Sequence, residues 1–279
     1  MIISIITVTY NSAETVGDTF DSILRQNYKD YEVVVVDGAS TDGTLEIIKA
    51  YEPKFEGRMR WMSEPDFGIY DAMNKGIAMA KGDVVGLLNS DDYFSNFNVL
   101  RTIANRFAKY PDIDAVYADV RYVQWSDTTR QLRYYSSRLY RRSWMRMGFM
   151  PAHPSFYCKR SVYERFKLDG TKIEGFKGDP TKAYFNSTYK IAADFEHLLR
   201  MIFVGRIKTH YVWNEFVTMR AGGASSNGFS SHKQIVKEHR RAFKENKVYS
   251  NIFLLALRYL YKTLELAYGR FTNTRRTSD

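Results

Sequence analysis

Residues 32–43 read Glu-Val-Val-Val-Val-Asp-Gly-Ala-Ser-Thr-Asp-Gly. Four consecutive valines are typical of a strand buried on both faces, because such a strand has no polar side to present to water. Asp37 closes the run, and small polar residues lead from it into a predicted helix at Asp42–Tyr51, for which Ser40 or Thr41 can be the N-cap. This segment therefore predicts a βα unit with a carboxylate at the end of its strand.

The alternation of strand and helix extends over the first hundred residues. Further strands are predicted at Ile2–Val8, Arg58–Met62 and Val84–Leu88, and further helices at Glu14–Gln26 and Gly68–Lys81. Short β-rich runs separated by helical patterns indicate an α/β fold. We expect a Rossmann-like, mostly parallel central sheet flanked by helices.

The pattern is less regular after Asp92. The elements predicted there are helices at Val99–Lys109 and Ala193–Val204 and strands at Asp114–Val120 and Thr209–Thr218. Two helical patterns, Lys233–Asn246 and Asn251–Tyr268, end the chain. We therefore expect a C-terminal helical extension behind the sheet.

Polar residues follow each of the four predicted strands of the first half. Since the carboxyl ends of parallel strands meet at one edge of a sheet, we expect these residues to line one crevice. The pair Asp91-Asp92 follows the strand Val84–Leu88, and two adjacent carboxylates repel each other there unless a cation neutralises them. Mg²⁺ or Mn²⁺ with diphosphate oxygens would do so. The alternative is an N-cap for the following helix.

Asp37 has a different predicted role. A carboxylate at this position can accept hydrogen bonds from a base N–H or a ribose hydroxyl. The chain has neither the G-x-G-x-x-G fingerprint of dinucleotide-binding proteins nor a G-x-x-x-x-G-K-[ST] loop. Dehydrogenases and P-loop proteins are therefore disfavoured.

Four blocks of the sequence resemble, in order, the motifs of the family 2 glycosyltransferases. They are residues 5–11, 36–44, 63–76 and 88–92, which read IITVTYN, VDGASTDGT, SEPDFGIYDAMNKG and LNSDD. The similarity is greatest to bacterial enzymes that build O-antigen, capsule or exopolysaccharide repeat units, and it spans roughly residues 1–95. Four motifs in this order are specific evidence for the family, whereas any one of them alone would be weak evidence.

The resemblance implies a GT-A fold, a nucleotide-diphosphate-sugar donor with UDP favoured, a Mg²⁺ or Mn²⁺ ion and inversion at the anomeric carbon. Asp91 should face the ribose or the metal, and Asp92 the metal. Because Asn89 stands where many relatives have an acidic residue, the ion is expected to rest on Asp91 and Asp92 alone. The residues that the resemblance implies around the nucleotide are Thr9, Asn11, Asp37 and Asp66, with Asn74 and Lys75 close behind.

An inverting transfer also needs a base that removes the proton from the attacking hydroxyl. Residues 191–196 begin the predicted helix Ala193–Val204 and are similar to the family's Asp-containing acceptor-site motif. Asp194 is therefore the candidate base, and Glu196 is the second choice. The alternative is that Asp194 only stabilises the start of its helix.

Two more segments are weaker candidates for the rim of the site. Residues 220–226 read RAGGASS and resemble a late Gly-Gly-x-Ser-Ser loop of these enzymes, although a plain flexible turn is nearly as good an explanation. The candidates in this loop are Arg220, Gly222, Gly223 and Ser225. His153 lies between two prolines in a segment similar to one beside the family's acceptor pocket, and a structural histidine is an equal alternative.

Positive charge is concentrated at the end of the chain. Residues 233–279 hold 11 Lys and Arg against 4 Asp and Glu, which is seven of the ten net positive charges. The apolar arc of the helical pattern at 251–271 is too wide to leave in water. It must pack on the domain, pair with a second copy, or lie in a membrane interface where Lys and Arg meet anionic lipid. We expect peripheral contact with a membrane, with a homodimer as the main alternative.

The same reasoning predicts the organisation of the whole chain. Residues 1–110 are expected to form the nucleotide-sugar-binding half of a GT-A domain, 111–232 its acceptor-binding half, and 233–279 basic amphipathic helices. The single cysteine, Cys158, can form no internal disulfide, and residues 1–10 lack the basic region of a signal peptide. These features predict a cytoplasmic protein at the inner face of the cytoplasmic membrane.

The expected substrates are a nucleotide-diphosphate-sugar and a saccharide, free or linked to polyprenyl diphosphate. A nucleotidyltransferase that makes activated sugars is the nearest rival, but it calls for a glycine-rich basic loop where Thr9-Tyr10-Asn11-Ser12 stands. A nucleic-acid-binding protein would suit the net charge of +10. Acidic strand ends would repel a phosphate backbone, so no nucleic-acid partner is expected. A catalytically dead sugar-binding protein is disfavoured because Asp37, Asp91, Asp92 and Asp194 are all present.

Overall fold

A computed structural model describes residues 1–222 and 228–258 of the chain. The strands are β1 (Ile3–Thr9), β2 (Tyr31–Asp37), β3 (Met59–Ser63), β4 (Val84–Leu87), β5 (Tyr93–Phe94), β6 (Ala115–Val123), β7 (Gln131–Tyr135), β8 (Tyr157–Lys159) and β9 (Thr209–Arg220). The helices are α1 (Val16–Leu24), α2 (Thr44–Tyr51), α3 (Ile69–Met79), α4 (Val99–Lys109), α5 (Arg160–Arg165), α6 (Ala193–Leu198) and α7 (Gly228–Glu245). A π-helical turn, Leu199–Val204, continues α6, and residues 252–258 are helical.

The described strands form one sheet in the order β3-β2-β1-β4-β8-β6-β9-β5, with β7 paired to β6. The strands β3, β2, β1 and β4 run parallel to one another, as the sequence predicts. Beyond them β8 lies antiparallel between β4 and β6. The strand β5 pairs antiparallel with β9, and β7 pairs antiparallel with β6. The parallel arrangement is therefore confined to the first half and to the β6–β9 pair.

Helices cover both faces of the sheet. Alternate side chains of β2 enter opposite cores, since Val33 and Val35 pack with α1, α2 and α4 while Val34 and Val36 pack with α3, α6 and α7. The four valines are fully buried, as expected for a strand covered on both faces. This layering leaves the carboxyl ends of the parallel strands open at one edge.

Three strands were not predicted from the sequence. They are β5, β7 and β8, with two, five and three residues. Sequences this short show little periodicity, so whether they form strands depends on their pairing with other strands. In β8, Tyr157 lies opposite Gly86 of β4, and a Cβ on Gly86 would come within 2.1 Å of the Tyr157 ring. The glycine therefore allows the two halves to join in one sheet.

The predicted halves share this sheet, because β5 from the first pairs with β9 from the second. The helix α7 begins at Gly228 and so crosses the predicted boundary at 232/233. After it, residues 252–258 form the described start of the last predicted helix. Within the described residues, no helix is both long and apolar enough to cross a bilayer.

Candidate functional site

A cleft of about 870 Å³ opens where β1, β2 and β4 end. Its walls include most of the residues singled out from the sequence: Thr9, Asn11, Asp66, Asp91, Asp92, His153, Asp194, Arg220 and Gly222. Gly223 and Ser225 lie outside the described residues. Residues more than two hundred positions apart in the chain thus meet at one sheet edge, as the strand order predicts.

Asp37 lies directly behind the cleft wall and is fully buried. Its Oδ1 accepts hydrogen bonds from the Thr9 and Ser40 hydroxyls at 2.8 and 2.5 Å. Its Oδ2 accepts from the Ser63 hydroxyl at 2.6 Å and the Ser40 N–H at 3.0 Å. Burial raises the pKa of Asp37, but these hydrogen bonds outweigh it and hold the pKa below its ordinary value. An ionised carboxylate therefore ties the ends of β1, β2 and β3 together.

The loops after β1 and β2 are also bonded to each other. The Asn11 side chain accepts from the Thr41 N–H at 2.9 Å, and the Asn11 N–H donates to the Ser40 hydroxyl at 2.8 Å. Asn11 has φ 49°, a left-handed conformation that asparagine tolerates better than most residues. Asp66 packs against Gly38, where a Cβ would come within 2.6 Å of its Oδ2. The result is a fixed, small-residue floor on which a planar group can lie.

Asn74 and Lys75 do not line the cleft. The Asn74 side chain donates to the Phe185 carbonyl at 2.9 Å and accepts from the Phe185 N–H at 2.7 Å. Lys75 makes ion pairs with Glu64 at 2.8 Å and Asp71 at 3.4 Å. Both side chains are thus engaged in holding α3 to its surroundings, and the geometry gives them no direct place beside a nucleotide.

Asp91 and Asp92, the acid pair, both line the cleft. Asp92 is 1% exposed, and its Oδ2 has no hydrogen-bond partner among the described residues. Burial and the neighbouring Asp91 carboxylate raise the pKa of Asp92 well above its ordinary value. Burial also raises the pKa of Asp91, although Arg220 opposes it. An orphaned buried carboxylate oxygen beside a second carboxylate suits a divalent cation.

The acid pair is a partial rather than a complete metal site. No cluster of three or more His, Cys, Asp or Glu side chains able to hold a metal occurs in residues 1–222 and 228–258. Mg²⁺ and Mn²⁺ are commonly held by one or two carboxylates, with phosphate and water oxygens completing the shell. The donor set Asp91 and Asp92 therefore fits an ion that arrives with a diphosphate.

Arg220, predicted as a rim residue, is already engaged. Its guanidinium donates to the Asp91 carbonyl at 2.9 Å and makes an ion pair with Asp18. The side chain is 6% exposed. Arg220 thus fixes the loop that carries the acid pair.

Asp194, in α6, is part of the cleft wall. The N-cap of α6 is Ala192, and the Glu238 carboxylate accepts from the backbone N–H groups of Lys190, Ile191 and Ala192 at 2.8–3.0 Å. Glu238 therefore fixes the backbone that leads into α6. Asp194 Oδ1 accepts from the Phe195 N–H at 2.8 Å, while its Oδ2 lies 3.2 Å from His153 Nδ1. Burial raises the pKa of Asp194, and the His153 imidazole opposes that rise.

Glu196, the second choice for the base, points elsewhere. It is buried in an ion pair with Arg200 at 3.0 Å and accepts from Asn246 at 3.1 Å. It does not appear in the cleft wall. The geometry thus favours Asp194 over Glu196.

Sequence reasoning missed the aromatic part of the wall. It comprises Tyr10, Tyr70, Tyr122, Trp125, Phe156, Tyr163 and Phe185, together with His197. His197 follows Asp194 by three positions in one helix, so the helical period already placed the two on one face. The other rings come from strands, turns and helices too scattered for any one sequence pattern to indicate them.

Comparisons with known proteins find a family model and curated relatives that are similar to this chain. The family model "Glycosyl transferase family 2" matches residues 4–166. A PGL/p-HBAD biosynthesis glycosyltransferase of Mycobacterium bovis is 38% identical over 117 residues, which cover 42% of this chain and 46% of that protein. The chain thus spans about half the length of the curated relatives it matches.

Two solved structures are similar in fold. Staphylococcus aureus TarS 1-349 in complex with UDP-GlcNAc has a TM-score of 0.58 and 17% identity, over 87% of this chain and 66% of that one. The mannosyltransferase PcManGT of Pyrobaculum calidifontis, in complex with GDP-Man and Mn²⁺, has a TM-score of 0.57 and 16% identity, over 97% and 83%. The fold is therefore the predicted GT-A fold, with a central sheet flanked by helices.

Proposed function

Since the chain belongs to glycosyl transferase family 2, we propose that it transfers a sugar, with inversion, from a nucleotide-diphosphate donor to a hydroxyl of a saccharide acceptor. The observation that carries the proposal is the pairing of two acidic centres in one cleft. The first is Asp91 and Asp92, with an unpaired buried oxygen. The second is Asp194, whose carboxylate lies in the wall of the same cleft.

The donor end is formed by the loops after β1, β2 and β4. The nucleoside lies on the floor made by Asn11, Gly38 and Asp66, with Asp37 holding that floor from behind. Asp91 and Asp92 would hold a Mg²⁺ or Mn²⁺ ion, which when bound stabilises the negative charge of the departing diphosphate. Arg220 keeps the acid pair in place through the Asp91 carbonyl. Because the ion and the surrounding electrostatics would stabilise the departing diphosphate, no separate general acid is required at this end.

The acceptor end is formed by α6, the turn that carries His153 and the aromatic wall. Asp194 takes the proton of the attacking hydroxyl as that oxygen bonds to the anomeric carbon. Burial raises the pKa of Asp194, which makes its carboxylate a stronger base as long as it stays ionised. Aromatic faces such as Tyr122 and Trp125 offer apolar surface to sugar rings.

Binding of the donor can be tested without knowing the acceptor. UDP with Mn²⁺ at about 100 times its dissociation constant should stabilise the protein by about 2.7 kcal/mol. The melting temperature should then rise by roughly 5–10 °C. A thermal-shift panel of UDP, GDP, dTDP and CMP, each with and without Mn²⁺, measures this. No shift with any nucleotide would contradict the donor site.

We also propose that the acceptor is linked to a lipid such as polyprenyl diphosphate, in surface polysaccharide synthesis, and that the protein meets it at the inner face of the cytoplasmic membrane. Four cations form one exposed stripe of α7, Lys233, Lys237, Arg240 and Lys244. None of them makes an ion pair with another residue in the described part of the chain. Tyr249, which lines one groove with these four cations, is 68% exposed, and Phe253, four positions later in the chain, is 79% exposed. Unpaired cations next to exposed apolar side chains suit an anionic lipid surface.

Removal of the cationic stripe should weaken binding to anionic vesicles. Each cation near such a surface contributes about 1 kcal/mol, so replacing all four with serine should lower the affinity roughly 100- to 1000-fold. Co-sedimentation with vesicles of phosphatidylcholine and phosphatidylglycerol measures this. Replacing Lys29, Lys49, Lys54 and Lys81, which are exposed elsewhere, is the matched control. Equal binding by both variants, or a wild type that dimerises and ignores vesicles, would contradict membrane contact.

A further inference from the structure

The sequence left His153 undecided between an acceptor contact and a structural histidine, and the geometry adds a third role. We propose that His153 is a positioning residue for Asp194: its Nδ1–H donates to Asp194 Oδ2 and holds the carboxylate ionised and aimed at the acceptor hydroxyl. This inference rests on the proposed function of Asp194 as the base. The two atoms lie 3.2 Å apart, with side chains that are 25% and 17% exposed.

The turn that carries His153 is rigid. It is a short 3₁₀ turn, His153–Ser155, with Pro154 at its second position. The buried Ser155 hydroxyl donates to the Ala118 carbonyl at 2.8 Å and accepts from the Ala118 N–H at 3.1 Å. The turn is thus anchored to β6 in the centre of the sheet. An imidazole on such a support has a defined direction, which a positioning role requires.

The surroundings of Asp194 single out His153. Its Oδ1 is occupied by the Phe195 N–H, so orientation of the carboxylate depends on what Oδ2 meets. The Tyr70 hydroxyl, from α3, donates to the Ile191 carbonyl instead. The Arg258 guanidinium, from the last described helix, lowers the pKa of Asp194. The Asp194 carboxylate in turn contributes to raising the pKa of Tyr122 in β6. Among the described residues, His153 is the side chain whose nitrogen lies within 3.2 Å of Asp194 Oδ2.

The proposed hydrogen bond has a chemical consequence. Burial favours the protonated form of Asp194, which cannot act as a base. A donor on Oδ2 stabilises the ionised form and leaves the remaining lone pairs of that oxygen for the acceptor hydroxyl. Removal of the donor should therefore make the carboxylate harder to ionise. The enzyme would then need a higher pH to reach the same fraction of active base.

Two substitutions separate this role from a merely structural one. His153→Leu removes the donor and keeps much of the volume, whereas His153→Asn places an amide N–H near the position of Nδ1. Release of UDP from the UDP-sugar that stabilises the wild type is measured with Mn²⁺, using water and then a membrane lipid extract as acceptor. We expect His153→Leu to lose about 10- to 100-fold in kcat at about pH 7 and to recover part of that loss at about pH 9. His153→Asn should restore most of the rate at both pH values.

A control variant and a measurement of donor affinity separate failure of the His153 role from failure of the proposed function. His210→Ala is the matched control, because this histidine stacks on Tyr110 at 4.7 Å, outside the cleft wall. Donor affinity should be the same in the wild type and in all three variants. A His153→Leu variant with the wild-type rate, or with a loss that is equal at both pH values and shared by His153→Asn, would overturn the positioning role. Absence of donor binding by the wild type would contradict the proposed function instead.

Discussion

Asp92→Asn should remove the stabilisation of the protein by UDP and Mn²⁺. The substitution replaces the one buried carboxylate oxygen that has no partner among the described residues, and a neutral amide is a poor ligand for a divalent cation. Loss of one of two anionic ligands should weaken metal-dependent binding of UDP by about 100-fold or more, which corresponds to about 2.7 kcal/mol. A thermal-shift titration of UDP with Mn²⁺ measures the change.

The same substitution should stabilise the protein when no ligand is present. The folded-state pKa of Asp92 is raised by burial and by Asp91, so the folded state holds this proton more tightly than the unfolded state. Stability is therefore lost as the pH rises above the unfolded pKa and Asp92 must ionise in the fold. At neutral pH the asparagine avoids an unpaired buried charge, which is worth about 1–3 kcal/mol. The melting temperature should rise by a few degrees, and the gain should shrink as the pH falls.

Asp112→Asn is the matched control for both effects. Asp112 is exposed and makes an ion pair with Lys208 at 3.0 Å, away from the cleft. It should change neither the affinity for UDP nor the melting temperature appreciably, because exposed ion pairs contribute little. If Asp92→Asn kept the full response to UDP and Mn²⁺, the acid pair would not be the metal site. If Asp92→Asn destabilised the ligand-free protein, the unpaired Asp92 carboxylate would not be a group that lowers its stability.

The first half of the fold could be predicted because its strands are long and apolar. The ends of the observed β1, β2 and β3 lie within about one residue of the ends of the predicted strands. An unbroken apolar run such as Val33–Val36 is typical of a strand that is buried on both faces. Helix ends were less certain. The N-cap of α2 is Gly43 rather than the predicted Ser40 or Thr41. The loop hydroxyls and amides bond across to neighbouring loops instead, as Asn11 does to Thr41.

The second half could not be predicted in the same way. Its short strands β5, β7 and β8 are determined by pairing with strands far away in the chain. The same limit applies to the site. Sequence motifs identified Asp91, Asp92 and Asp194 separately, but only the folded chain brings Asp194 to His153, forty-one positions earlier. Burial of a polar atom, such as Asp92 Oδ2, is likewise a property of the fold.

The opposite result from Asp92→Asn is expected for Asp194→Asn, which should leave binding of UDP and Mn²⁺ unchanged while transfer collapses. An amide cannot accept the proton of the attacking hydroxyl, and loss of a general base commonly lowers kcat about 100- to 10,000-fold. The fold should be retained, because the amide oxygen can still accept from the Phe195 N–H as Oδ1 does now at 2.8 Å. Release of UDP and thermal shift, measured on one preparation, separate the two effects.

Asp179→Asn provides the matched control for this last substitution. Asp179 is an exposed N-cap whose Oδ1 accepts from the Thr181 N–H at 2.9 Å, and asparagine caps a helix nearly as well as aspartate. Its kcat should equal that of the wild type. Near-normal turnover in Asp194→Asn would mean that the proton leaves by another route. Loss of donor binding in that variant would mean that Asp194 belongs to the donor end of the cleft, so the assignment of the two ends would have to be reversed.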